Sequence, residues 1–135
     1  MKILRWVGLS LAVLGVALGA LYYAMVERVE VVVIHTHDAA GDHATRVWVT
    51  DDAGAAWLRT GRVNKSWLPR LRANPALEVE RGGLTRPYTA VVIEDAATVE
   101  RDNQLTLEKY GWSEQLLRKL GGDPGRYVAI RLDPR

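Results

Sequence analysis

Asn64-Lys65-Ser66-Trp67-Leu68-Pro69-Arg70-Leu71-Arg72-Ala73-Asn74-Pro75, running straight into Ala76-Leu77-Glu78-Val79-Glu80-Arg81-Gly82-Gly83, is the stretch on which the fold turns. Ser66 stands where a helix N-cap is needed, and its hydroxyl is expected to satisfy an orphan N–H of the first turn. Pro69 then falls within that turn, where a missing N–H costs little. Trp67, Leu68 and Leu71 share one helical face at i, i+3 and i+4 spacing. Asn74 precedes a proline and is pushed toward extended backbone, which ends the helix. Leu77 and Val79 then alternate with Glu78 and Glu80, the pattern of a half-exposed strand, and Gly82-Gly83 turns the chain back.

Working outward, residues 29–34 (Val-Glu-Val-Val-Val-Ile) are β-branched and nearly continuous, and predict a strand buried on both faces. Residues 35–43 read as a polar turn. Residues 45–50 alternate, with Val47 and Val49 on one face and Arg46, Trp48 and Thr50 on the other. Asp51-Asp52-Ala53-Gly54 predicts a hairpin turn into a strand over 56–60, so three strands arrive in meander order. Residues 84–94 predict another strand, in which Pro87 implies an edge position or an irregular start. A helix with a weak apolar stripe is expected over 97–110. A second should follow, capped by Ser113, with Leu116, Leu117 and Leu120 on one face and Gly121-Gly122 as its stop. Residues 126–132 alternate and close the sheet. Six short strands in hairpin order with few helices predict a mainly β, α+β small barrel.

Ahead of the barrel lies an apolar run. Residues 6–26 comprise 21 positions without a charge. As a helix they reach roughly 30 Å, the thickness of a hydrocarbon core. Trp6, Tyr22 and Tyr23 sit where interfacial aromatic belts form. The rival reading is a cleaved signal peptide, whose apolar region would be shorter and better supplied with small residues at a cleavage site. Residues 1–28 are therefore taken as a membrane anchor and 29–135 as the domain. Lys2 and Arg5 outweigh Arg28 across the span, which leans the domain to the extracytoplasmic side. Over residues 27–135 the 16 remaining bases balance 16 acids, which argues against a nucleic-acid-binding face. With no cysteine, disulfides, thiolate metal sites and cysteine catalysis are excluded.

Within this neutral domain the charge is locally uneven. Arg59, Arg62, Lys65, Arg70 and Arg72 cluster with no acid between Asp52 and Glu78. Cations on a loop that feeds a helix N-terminus suit an anionic ligand, though a solvated basic surface has the same composition. His35, His37 and His43 form a second cluster among Asp38 and Asp42. His-x-His on a strand puts two imidazoles on one face, half of a metal site, whereas the plainer reading is a solvated turn. Tyr110 could present a protonated phenol to a cleft or pack a helix end.

The spacing Trp67, Leu71, Asn74, Pro75, Leu77, Val79 resembles the Trp-x-x-x-Leu-x-x-Asn-Pro-x-(apolar)-x-Val signature of the deazaflavin-dependent nitroreductase family. That family lies within the pyridoxamine-phosphate-oxidase-like, FMN-binding split β-barrels. Residues 46–49, 57–61 and 130–134 are similar to its second, third and closing strands. The resemblance implies a split barrel, often a homodimer, that holds FMN or the deazaflavin F420 in a groove, with the cofactor phosphate near the loop before the Trp helix. Carried over by position, Arg46, Thr60, Gly61, Arg62, Asn64, Lys65, Ser66 and Trp67 become the expected cofactor-binding residues. The family's basic Gly-Arg-Lys-Ser-Gly turn is replaced here by the acidic residues 37–43. The implied function is a membrane-anchored flavin- or deazaflavin-dependent oxidoreductase acting on a quinone or nitroaromatic. The alternatives are a barrel that has lost its cofactor, or a metal or heme binder through His35, His37 and His43.

Overall fold

The computed structural model describes residues 1–26, 30–120 and 126–135, which divide into two units, Met1–Glu30 and Val31–Arg135. The first holds one helix, α1 (Lys2–Val26). Its segment Lys2–Tyr22, with mean hydropathy 1.9, is long and apolar enough to cross a membrane.

The second unit is a single antiparallel sheet of β1 (Val31–Asp38), β2 (Gly41–Trp48), β3 (Thr50–Asp52), β4 (Ala55–Gly61), β5 (Ala76–Arg81), β6 (Leu84–Ile93) and β7 (Tyr127–Pro134). Helix α2 (Trp67–Ala73) precedes β5, and α3 (Ala96–Tyr110) and α4 (Trp112–Lys119) lie between β6 and β7. The strand order is β2-β1-β5-β6-β7-β4-β3. The two outermost strands, β2 and β3, are consecutive in the chain and separated only by Val49. One residue thus bridges the sheet's opposite edges, so the sheet must curl into a half-open barrel. That is a split β-barrel.

Residues 45–50 are therefore not the one strand expected, and the sheet has seven strands rather than six. At the bridging corner Val49 belongs to neither ladder, and its backbone groups are satisfied from α3. Its N–H donates to the Tyr110 hydroxyl at 3.1 Å, and its carbonyl accepts from that hydroxyl at 3.0 Å and from Lys109 Nζ at 2.7 Å.

The core lies inside the curl. Val32 and Ile34 of β1, Leu77 and Val79 of β5, Leu58 of β4 and Ile130 and Leu132 of β7 form one buried cluster. Trp67, Leu68 and Leu71 of α2 belong to it. Strand β1 alternates between buried and half-buried positions, so only one of its faces is fully buried, contrary to the expectation from its β-branched run. It also extends to Asp38, so His35 and His37 are strand residues and the turn is confined to Ala39-Ala40. Ala53 and Gly54, both at positive φ (51° and 78°), make the β3–β4 hairpin turn, as read from the sequence. Strand β6 is central, yet Pro87 lies one residue before its ladder with β7 begins at Tyr88. On that side only the Pro87 carbonyl is engaged, by the Arg135 N–H at 3.2 Å, and the missing N–H costs no ladder bond.

Helix α3 begins at Asp95, whose side chain accepts from the Thr98 N–H at 2.9 Å. Helix α4 starts one residue before Ser113, after Gly111, and not on a Ser113 cap. Leu116 and Leu120 are 39% and 75% exposed, so these two members of the expected apolar face are turned to solvent, and among the described side chains of α4 the buried one is Glu114. The Leu117 side chain and the Gly121-Gly122 stop lie outside the described residues.

Candidate functional site: an aromatic-walled cleft beside a basic loop

Strand β4 ends at Gly61, and the loop that follows is shaped by Asn64. Its amide nitrogen donates to Thr60 Oγ1 at 2.9 Å. Its carbonyl accepts from the Ser66 N–H at 2.9 Å, the Ser66 hydroxyl at 3.1 Å and the Leu68 N–H at 3.4 Å. Asn64 therefore caps α2, and Ser66, the expected cap, donates its hydroxyl to Asn64 and makes no capping bond. This ties the helix entry to the end of β4 and leaves Arg62 and Lys65 exposed on the loop.

The five cations of the basic window separate into two groups. Arg72 reaches Glu94 at 3.2 Å, Arg70 donates to the Thr36 hydroxyl at 2.9 Å, and Arg59 is drawn into the protein. Among the described residues no carboxylate pairs with Arg62 or Lys65. Ser66 is exposed beside them, and Arg46 is exposed on β2, two residues from Trp48 along the same strand face.

Next to this loop a cleft of about 310 Å³ opens between the barrel and α3. Trp48, Trp57 and Tyr127 supply aromatic surface, and Thr60, Gly61 and Trp67 line the side nearest the loop. Arg59 and Asp102 contribute charged groups. Of the eight expected cofactor residues, the structure brings Thr60, Gly61 and Trp67 to the cleft, puts Arg62, Asn64, Lys65 and Ser66 on the adjoining loop, and leaves Arg46 on β2.

Arg59 is held by groups that sequence reasoning missed. Its two terminal nitrogens donate to Glu114 at 2.8 and 2.7 Å, and one also donates to Asn103 Oδ1 at 2.9 Å. The guanidinium lies 4.1 Å from the centre of the Tyr127 ring. Arg118 Nε adds a third bond to the fully buried Glu114, at 3.1 Å. Burial pushes the Glu114 carboxyl upward, but Arg59 and Arg118 outweigh it and hold the group below its ordinary range.

Asp102 behaves in the opposite way. Burial pushes its pKa up to about 6, against the Thr50 hydrogen bond and the Arg59 charge, with Glu114 adding to the rise. The available signal was the spacing 99, 102, 103, 106, 110. These are the buried positions of α3, a regular helical stripe carrying Asp102, Asn103 and Thr106 where apolar side chains were sought.

The other candidates sit elsewhere. The Tyr110 ring stacks on Trp48, centroids 4.2 Å apart and planes 8° from parallel, and its hydroxyl is engaged by Val49. His35 Nε2 bonds Glu80 at 2.8 Å, His43 Nε2 bonds Asp38 at 3.0 Å, and His37 lies between Glu78 and Asp42. Glu78, then Asp42, raise the His37 pKa above its ordinary value. None of the three histidines lines the cleft. Among the described residues no group of three or more His, Asp or Glu side chains is arranged to hold a metal ion.

No protein-family model and no curated protein matches the chain. Solved structures do. A candidate pyridoxamine 5′-phosphate oxidase from Listeria innocua is 20% identical, with a TM-score of 0.62 over 87% of this chain and 94% of its own. An F420-H2 dependent reductase, FDR-A, is 19% identical, with a TM-score of 0.58 over 77% of this chain and 94% of its own. HutZ, a heme storage protein from Vibrio cholerae, is 14% identical, with a TM-score of 0.59 over 82% of this chain and 85% of its own. At such identities the likeness establishes the fold, and the fold is the split β-barrel of the pyridoxamine-phosphate-oxidase-like proteins.

Proposed function

We propose that this chain is a membrane-anchored oxidoreductase of the nitroreductase or quinone reductase type, binding FMN or F420 in the aromatic-walled cleft. The observation that carries the reading is the pairing of that cleft with two cations on the loop beside it, Arg62 and Lys65, that no carboxylate among the described residues pairs with. The residues present fit such a group. Gly61 has no atom within 4 Å of where a Cβ would stand, so there is open space between cleft and loop. A volume near the lower end of ligand sites accepts a planar ring and leaves a phosphorylated tail outside.

In this reading Trp48, Trp57 and Tyr127 offer flat apolar surface that orients the ring and excludes water on one side. Arg62 and Lys65 hold the anionic tail. Asn64 acts indirectly, because it fixes the loop between Thr60 and Leu68. The bound cofactor supplies the hydride. An apolar acceptor such as a quinone or nitroaromatic suits a domain tethered by α1 at a bilayer, and a homodimer belongs to the same proposal. So does an extracytoplasmic placement.

Titrating the full-length protein in detergent with FMN and with F420 tests the reading. Saturable micromolar binding of either is expected, weakened about tenfold or more when Arg62 and Lys65 are both changed to Ala, since each removes a charge-assisted contact. Absence of saturable binding would overturn it. That outcome would favour a barrel without a cofactor, a reading supported by the acidic hairpin in which Asp38 and Asp42 occupy the positions of the family's basic turn.

A further inference from the structure

Two polar atoms near the cleft have no partner among the described residues: the indole N–H of Trp57 (Nε1) and the Oδ2 oxygen of Asp102. Both are sealed from bulk water, and Asp102 as a whole is only 2% exposed. Leaving such groups unpaired costs about 1–3 kcal/mol each, more for a charged oxygen, so native proteins rarely tolerate two together. Their placement gives the cost a purpose. Trp57 and Asp102 both line the 310 Å³ cleft, and both also line a neighbouring cleft of about 300 Å³ on the α3 side. They form the wall between the two.

The pair is chemically complementary, one donor and one acceptor. The Asp102 carboxylate accepts through Oδ1 from the Thr50 hydroxyl at 3.2 Å, and Oδ2 is left without a partner among the described residues. Arg59, the cation whose charge acts on Asp102, is already held by Glu114 and Asn103. A ligand that fills both vacant roles must carry a hydrogen-bond acceptor beside an N–H donor. It must also be flat enough to lie along Trp48 and Tyr127. An imide edge on a planar heterocycle has that form.

We propose that Asp102 and Trp57 are the ring-reading subsite of the cleft, Trp57 donating to a ring carbonyl and Asp102 accepting from the adjacent ring N–H of a pyrimidinedione-type edge. This deepens and rests on the cofactor reading above, since flavins and deazaflavins share that edge. It adds which edge is recognised and by which side chains.

The ionised carboxylate accepts from an N–H more strongly than the neutral acid, which also presents an O–H donor, so binding weakens as pH falls through the titration of Asp102. The groups facing it are Thr50 from β3, Arg59 from β4 and Glu114 from α4, with the Arg101–Asp52 pair on the far cleft. Glu114 is held below its ordinary range and stays ionised across the window.

The test uses full-length protein in detergent, titrated with lumiflavin (the bare ring), 3-methyllumiflavin (the same ring without the N–H) and FMN. Wild type is expected to bind lumiflavin about tenfold or more tightly than the methylated ring, the worth of one charge-assisted hydrogen bond. Asp102→Asn should cut lumiflavin affinity by a similar factor and abolish the weakening between pH 7.5 and pH 5. Trp57→Phe keeps the aromatic wall and should cost a few-fold.

The N-methyl comparison needs no variant, so a folding defect in Asp102→Asn cannot mask the result. Equal binding of both rings overturns the subsite, as does unchanged affinity in folded Asp102→Asn. If FMN binds well but insensitively to Asp102 and pH, the cofactor reading survives and the subsite falls. If lumiflavin binds with N–H discrimination while FMN and F420 do not, the subsite stands and the phosphorylated cofactor falls. Failure of every ring removes both.

Discussion

Helices α2 and α3 both press one face against the barrel, and they do so with opposite chemistry. The buried residues of α2 are Trp67, Leu68 and Leu71, all part of the core cluster. Those of α3 are Val99, Asp102, Asn103, Thr106 and Tyr110. The first face is a plug, held by apolar area removed from water. The second serves as a polar floor. Asp102 accepts from Thr50, Asn103 accepts from Arg59, and Tyr110 satisfies the corner at Val49. A plug needs volume, whereas a floor needs each donor matched to an acceptor. The cleft lies along α3, where among the described residues the matching is left incomplete at Asp102 and Trp57.

The contrast breaks most severely at Glu114, which has no counterpart on the α2 side. Glu114→Ala would leave Arg59 charged and almost wholly buried between Tyr127 and Asn103. Removing one partner of a buried pair costs about 3–5 kcal/mol, and urea unfolding should register a loss of that size. Replacing both, as Arg59→Met with Glu114→Leu, should recover much of it, because the penalty lies in the orphaned charge. Next comes Leu71→Ala on the plug. At 1% exposure it should cost roughly 3 kcal/mol by lost transfer energy and cavity formation, with no pH dependence.

The same contrast explains what could be read from the chain. The plug was legible because Trp67, Leu68 and Leu71 repeat with the helical period, and β5 because Leu77 and Val79 alternate cleanly. The hairpin at Ala53-Gly54 announced itself by composition. The floor was hidden because a search for apolar periodicity passes over Asp102, Asn103 and Thr106, although their spacing is equally regular.

On α4 the leucines drew attention away from Glu114, whose burial depends on Arg59, 55 positions away in the chain. The corner at Val49 was hidden for another reason. Val47 and Val49 keep strict alternation through the break, so nothing local marks where one strand ends and the next begins. Ser66 has the right identity at the right position for a cap, while Asn64, two residues earlier, reaches the Leu68 N–H and the N–H of Ser66 itself.

A pH series sharpens the floor. Because the Asp102 pKa is raised from 3.8 to about 6, the folded state binds more protons than the unfolded state between those values. Stability from this group is therefore greatest at low pH and is lost as pH rises through about 6. The shift is worth roughly 2–3 kcal/mol. Glu114 has the opposite sign, since its pKa is lowered, and its contribution is lost only as pH falls below the ordinary range. Comparing wild type with Asp102→Asn at pH 4.5 and pH 7 isolates the first trend, because His37 and the other titrating groups are common to both. An equal pH slope in the two proteins would show that the floor does not hold Asp102 as described.

The smallest effect separates two neighbours on the plug's entry. Asn64 accepts from two backbone N–H groups at the start of α2 and clamps the loop to Thr60, whereas the Ser66 hydroxyl only donates to Asn64. Asn64→Ala should therefore cost about 1 kcal/mol, the usual worth of a cap, and loosen the loop that carries Arg62 and Lys65. Ser66→Ala leaves both backbone bonds to Asn64 in place and should cost only a few tenths, as exposed substitutions away from special features do. If Ser66→Ala proved the costlier change, the cap would belong to Ser66 after all. The link from β4 through Asn64 to the loop would then lose its physical basis.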